Sequence, residues 1–238
     1  MTIAHRGASS YAPENTFAAF DMALSMGASH VELDVHFSSD GHIVVIHDDM
    51  VDLTTDGTGP VASHTLAQLK SLDAGSRFDS KHAGERIPML GETLERYKDR
   101  LYFHIEIKAN VEGLSQRTAD MVRGYGVVDS VTITSFQKFR LEETRAHAPE
   151  LPTGWLVSEA NDSIVAQSKE MGLTQICPRA NTLTPELVNR LHREGFVVRA
   201  WGVTDEALMR GAVDAGVDGM TVNFPDKLIE YLKAKGIE

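Results

Sequence analysis

Three acidic side chains at strand spacing are the first chemistry legible in the chain. Along HVELDV, Val31, Leu33 and Val35 share one face while His30, Glu32 and Asp34 share the other, because side chains on a strand alternate. Along FHIEIK, Phe103, Ile105 and Ile107 oppose His104, Glu106 and Lys108 in the same way. With the apolar faces turned to covering helices, Glu32, Asp34 and Glu106 converge at one end of a common sheet, and such a group of like charges requires a cation. An all-oxygen donor set suits one hard divalent ion, Mg²⁺ or Ca²⁺ with Mn²⁺ as a further option, better than zinc. A structural network, in which Lys108 and Arg6 neutralise the carboxylates, is the competing reading.

The chain has ten histidines. His64, His82, His147 and His192 sit in polar or helical contexts that read as surface. His5 and His47 differ: each closes an apolar run, TIAH or IVVIH, and each precedes a charged residue, Arg6 or Asp48. That places both at strand ends on the rim that receives the carboxylates. Two imidazoles across a phosphate can act as general base and general acid, since imidazole titrates near neutral pH. Taken singly, each is an ordinary hydrogen-bonded histidine. The one cysteine, Cys177, precludes an internal disulfide and reads as a buried apolar residue beside Pro178.

Positioning these groups falls to nine extended runs: TIAHRG, HVELDV, HIVVIHD, LYFHIEIK, SVTITS, TGWLV, TQICP, FVVRAW and DGMTVN. Amphipathic stretches such as Thr16 to Met26, Glu112 to Gly124, Thr184 to Glu194 and Asp205 to Ala215 lie between most of them, the alternation of a parallel sheet with helical crossovers. The link from Val35 to Ile43 is too short for the dozen or more residues of a parallel crossover, so HIVVIHD is predicted to return antiparallel. The remaining eight strands predict a closed (β/α)8 TIM barrel. The whole chain, 1–238, is then a single catalytic domain, with an insertion at about 37–88 that carries one short helix near Leu66 to Leu72.

Composition bounds the partners. A chain of 238 residues buries about 70–75% of its unfolded surface, enough for a core without disulfides. Its net charge of −11, with Lys and Arg scattered, disfavours nucleic acid. Neither a secretory signal nor a run of about 18 apolar residues is present, so a soluble, cytoplasmic protein with no stable membrane association is expected. The sequence carries no signal for an oligomeric state.

The segments HRGASSYAPENTFAAF, GASHVELDVHFSSDGHIVVIHDD, TTDGTGPV, LKSLDAGSRF, ERIPMLGETL, FHIEIK and GVDGMTVNFPD, in that order from Ile3 to about Asp226, resemble the glycerophosphodiester phosphodiesterase family. The resemblance implies a TIM barrel with a small insertion after the second strand. It also implies divalent-metal-dependent hydrolysis of a small-molecule glycerophosphodiester to glycerol 3-phosphate and an alcohol. His5 and His47 match the family's histidine pair, and Glu32, Asp34 and Glu106 its metal-binding acids. Arg6 matches the phosphate-contacting arginine, Lys108 the lysine of the E-x-K strand and Trp201 the tryptophan lining the site. Two further classes are weighed against this: a phospholipase D-like enzyme for lysophospholipid or sphingolipid, and a non-catalytic phosphate-binding barrel.

Pro13-Glu14-Asn15-Thr16 reads as a turn and helix cap, with Asn15 or Thr16 accepting free amides. The chain departs from the family pattern at Leu53, where arginine is common, at Gly202 and Thr204, and at Asn223, where aspartate is frequent. None of these is expected to touch the metal or histidine set.

Overall fold

The computed structural model describes residues 1–237. Among them, all nine extended runs form strands: β1 (Thr2–His5), β2 (His30–Phe37), β3 (Ile43–Val45), β4 (Tyr102–Ile107), β5 (Val131–Ser135), β6 (Thr153–Val157), β7 (Gln175–Pro178), β8 (Val197–Val203) and β9 (Gly219–Val222). Sheet order is β1-β9-β8-β7-β6-β5-β4-β2-β3, and β1 also pairs with β2, so the eight parallel strands close into a barrel. As the short link demands, β3 runs antiparallel on the edge of β2, with Val45 opposite Val35.

The described residues also form nine α-helices: α1 (Phe17–Ser25), α2 (Leu66–Ser71), α3 (Leu90–Tyr97), α4 (Leu114–Gly124), α5 (Lys138–His147), α6 (Asp162–Glu170), α7 (Pro185–Arg193), α8 (Glu206–Ala215) and α9 (Pro225–Ala234). Side chains set several of their starts. Thr16, Asn161, Thr184 and Asp205 each accept a backbone N–H of the first turn, and Thr65 with Gln68 forms a capping box on α2. Helix α4 begins later than its amphipathic pattern because Gly113, at φ +80°, stands just before its first turn.

The fold is held by the layer between sheet and helices. Val31, Leu33, Val35, Phe103, Ile105 and Ile107 point outward and pack with Phe20 and Leu94 in one fully buried apolar cluster. Many inward positions are polar: Glu32, Asp34, His104, Glu106, Thr132 and Arg199 are all buried. Register sets their order. His5 lies beside Glu32, Glu32 beside His104, and Asp34 beside Glu106. The segment between β3 and α3 gathers Val44, Ile46, Val51, Val61, Leu69 and Ile87 into its own small core. The Asp73 carboxylate, which accepts the backbone amides of Gly75, Ser76 and Gly84, ties its loops.

Gly7 joins β1 to α1 at a point with no room for a side chain. Its φ is +83°, and a Cβ there would lie 2.6 Å from the backbone carbonyl carbon of Ala19. Gly7→Ala is therefore expected to destabilise the protein by about 2 kcal/mol or more in urea unfolding followed by far-UV circular dichroism. An unchanged midpoint would refute this close packing.

Candidate active site

The site is built first from the end of β1. His5 Nδ1 lies 2.6 Å from Asn223 Oδ1, an oxygen that can only accept, while its Nε2 lies 3.8 Å from Glu32 Oε2. Burial, followed by the charge of Arg6, pushes His5 down to about 4. The next residue, Arg6, sits in the left-handed region at φ +56°, which turns its side chain back across the barrel mouth. Its guanidinium donates through Nη1 to Glu14 Oε1 at 2.9 Å, and its Nε is 3.3 Å from Asp34 Oδ2. Its backbone N–H reaches the Glu32 carboxylate at 3.2 Å.

The Pro-Glu-Asn-Thr turn does more than cap a helix. Thr16 is the cap, but Asn15, at φ +56° and 3% exposed, donates its amide to Asp34 Oδ2 at 3.0 Å. Glu14 pairs with Arg6. The expectation of a cap at Asn15 is thus replaced by a polar bracket on Asp34, because the left-handed backbone turns that side chain inward.

Glu32, Asp34 and Glu106 meet with carboxylate oxygens within 4.8 Å of one another. Lys108 Nζ donates to Glu106 Oε1 at 3.1 Å. Burial and the neighbouring Asp34 charge push Glu106 up to about 7 against the opposing pull of Lys108, and the same two causes raise Glu32 well above its ordinary value. Glu32 Oε1 and Asp34 Oδ1 are buried with no hydrogen-bond partner among the described residues. Buried acceptors in this state are rare unless another group satisfies them, and an all-oxygen set of this kind fits a hard divalent cation.

His47 follows β3, where the Ile46 N–H donates to Asp34 O at 3.1 Å and so ties it to the carboxylate strand. Its Nδ1 lies 2.9 Å from Asp48 Oδ1. A cavity of about 260 Å³ at the C-terminal mouth brings His5, His47, Arg6 and Lys108 together with Glu32, Glu106 and Trp201. Asp34, 1% exposed, lies against Arg6 and Asn15 rather than in the wall. Trp201 donates its indole N–H to Val157 O at 2.9 Å and meets Phe136 edge to face at 4.8 Å between centroids. A larger cleft of about 970 Å³, at the opposite end around Met1, Val217 and Leu232, holds none of these residues.

Sequence reasoning missed Asn15, Glu14, Arg199, Phe136 and Asn223. Arg199 is 1% exposed, reaches Cys177 Sγ at 3.5 Å through Nε, and opposes the charge of Glu32 and Glu106 from below. Alternation along VVRAW, with Val198 and Ala200 outward, signals its inward placement. The same alternation after Thr221 signals Asn223, whose contact with His5 overturns the expectation that this departure stays clear of the histidine pair.

The carboxyl and imidazole shifts act on stability with opposite sign. Glu106, raised from its ordinary 4.5 to about 7, contributes stability that is full below 4.5 and lost as pH rises through about 7. His5, lowered from 6.5 to about 4, contributes stability present above 6.5 and lost as pH falls through about 4. Glu106→Gln isolates the first effect. In EDTA, the variant's Tm relative to the unmutated protein is expected to rise from about pH 5 to about pH 8. A flat difference across that window would mean that Glu106 does not titrate there.

A profile of the glycerophosphoryl diester phosphodiesterase family matches residues 5–227. The chain is 37% identical over 240 residues to the glycerophosphodiester phosphodiesterase of Caldanaerobacter subterraneus, with 99% of each chain covered. Its fold superposes on a phosphodiesterase of Oleispira antarctica in complex with the product sn-glycerol-3-phosphate at a TM-score of 0.88, with 30% identity over 97% of this chain and 96% of that one. A glycerophosphodiester phosphodiesterase from Agrobacterium tumefaciens gives 0.87, with 32% identity over 97% and 100% of the two chains. With this barrel and this acid, histidine and arginine mouth, the chain belongs to the glycerophosphoryl diester phosphodiesterase family of phosphoric diester hydrolases.

Proposed function

We propose that the chain, as one catalytic unit, hydrolyses soluble glycerophosphodiesters to glycerol 3-phosphate and an alcohol, using one divalent cation and the pair His5 and His47. The observation that carries this reading is the meeting, in one cavity, of two imidazoles and two cationic side chains with Glu32 and Glu106, the buried Oε1 of Glu32 having no donor among the described residues.

Glu32, Asp34 and Glu106 would hold the cation, Mg²⁺ or Ca²⁺ with Mn²⁺ as a further option, and the bound ion would supply Lewis-acid charge to the phosphate. Arg6 and Lys108, which both line the cavity, would donate to non-bridging phosphate oxygens, where negative charge builds in the transition state. Arg6 is kept from swinging into solvent by Glu14. One histidine removes the proton of the attacking oxygen and the other returns a proton to the leaving alkoxide. That oxygen belongs to water or to the neighbouring glycerol hydroxyl; both routes need the same two transfers to expel the alcohol, and the cyclic phosphate formed on the second route is then opened by water with the two histidines' roles reversed. Trp201 and Phe136 form an apolar wall against the glycerol moiety.

A cytoplasmic site of action accords with soluble substrates. Among the described residues no helix is long and apolar enough to cross a membrane.

The purified protein is expected to release glycerol 3-phosphate from glycerophosphocholine and glycerophosphoethanolamine, to lose that activity in EDTA, and to regain it with added metal. His5→Ala and Glu106→Ala are each expected to lower kcat by roughly 100-fold or more. Inactivity with Mg²⁺, Mn²⁺ and Ca²⁺ supplied in turn would defeat the proposal. Turnover confined to lysophospholipid would move the assignment to a lipid phosphodiesterase.

A further inference from the structure

The two histidines are held by partners of different chemistry. His47 Nδ1 faces a carboxylate, Asp48 Oδ1 at 2.9 Å, whereas His5 Nδ1 faces an amide, Asn223 Oδ1 at 2.6 Å. Asn223 follows β9 and is fixed through its backbone, since its carbonyl accepts the Ser10 N–H at 3.0 Å. The second ring nitrogen of His5, Nε2, points toward the cavity, and Glu32 Oε2 at 3.8 Å is too far for a hydrogen bond.

A carboxylate at position 223 could only accept, so it would place the imidazole proton on Nδ1 whichever way it turned. An amide offers a choice. With the oxygen toward the ring, Nδ1 carries the proton and Nε2 keeps its lone pair; with the NH₂ toward the ring, Nδ1 must accept and the proton moves to Nε2. The two arrangements turn a lone pair or an N–H of His5 toward the cavity.

We propose that Asn223 is a positioning residue which, by presenting its carbonyl end, holds neutral His5 as the Nδ1–H tautomer and so keeps the Nε2 lone pair free toward the cavity. The inference rests on the functional reading above and deepens it by naming the residue that orients His5 for its proton transfer. The proton that His5 takes up or returns passes through Nε2, and Nδ1–H remains donated to Asn223. Orientation is all the amide contributes, since it brings no charge of its own.

The test is the tautomer itself, read near neutral pH from long-range ¹H–¹⁵N spectra of ¹⁵N-histidine-labelled protein with Ca²⁺ added, His5 being assigned by the signal missing in His5→Gln. The unmutated protein is expected to show a protonated Nδ1 and a bare Nε2. Asn223→Leu should move the proton to Nε2, the form favoured by free imidazole in water, and lower kcat by roughly 10- to 100-fold with little change in KM. Asn223→Asp should restore both the tautomer and most of the rate. A wild-type His5 protonated on Nε2, or a tautomer unmoved by Asn223→Leu, would overturn the proposal. The spectra need no substrate, so an absence of turnover would count against the proposed reaction alone.

Discussion

Burying Glu32, Asp34 and Glu106 beside one another inside a closed barrel is the arrangement to which the rest of the structure answers. Like charges in a low-dielectric setting repel strongly, and each also loses hydration. The raised proton affinities of Glu32 and Glu106 are the direct expression of that conflict. The protein answers with cations at three heights: Arg6 at the mouth, Lys108 just past the end of the strand that carries Glu106, and Arg199 beneath. It adds a neutral donor, Asn15, to Asp34. Oxygens of Glu32 and Asp34 nevertheless remain without donors among the described residues, and this remainder is what gives the cluster its capacity for an ion.

A polar barrel interior shifts the stability of the fold elsewhere. TIM barrels commonly fill their centre with branched apolar side chains. Here that task belongs to the sheet's outer face, where Val, Leu, Ile and Phe of β2 and β4 meet α1 and α3. Separating the two faces lets the interior be spent on chemistry while burial against the helices supplies the hydrophobic stabilisation. The close join at Gly7 belongs to the same design, since it brings Arg6 and the Pro-Glu-Asn-Thr turn to one edge of the mouth.

The two histidines reach the cavity by unlike routes. His5 ends a barrel strand and inherits its position from β-sheet register, directly beside Glu32. His47 ends an excursion that leaves β2, returns antiparallel as β3, and is tied back to β2 by the Ile46 N–H on Asp34 O and by His36 Nε2 at 3.0 Å from His47 O. The insertion therefore serves the site by carrying one imidazole back over the carboxylates, with a small apolar core of its own to keep that arm in place.

Much of this was legible in the amino-acid order, for an identifiable reason. A period of two assigns faces, so the inward pointing of Glu32, Asp34 and Glu106 follows from HVELDV and FHIEIK alone. The length of the link after Val35 likewise forces β3 to return antiparallel and leaves eight strands to close. Arg199 obeys the same alternation but stands alone among apolar neighbours, and Asn223, two residues after Thr221, falls just past the end of its strand, where the alternation gives the direction of the side chain but not its partner. Contacts made by left-handed turns were beyond any periodicity: Asn15 reaches Asp34, and Arg6 reaches Glu14, because single residues at φ +56° redirect side chains. Face and strand count are local properties of the chain, whereas the partner of each polar atom depends on which distant strand the closed barrel brings alongside it, and only the tertiary structure decides that.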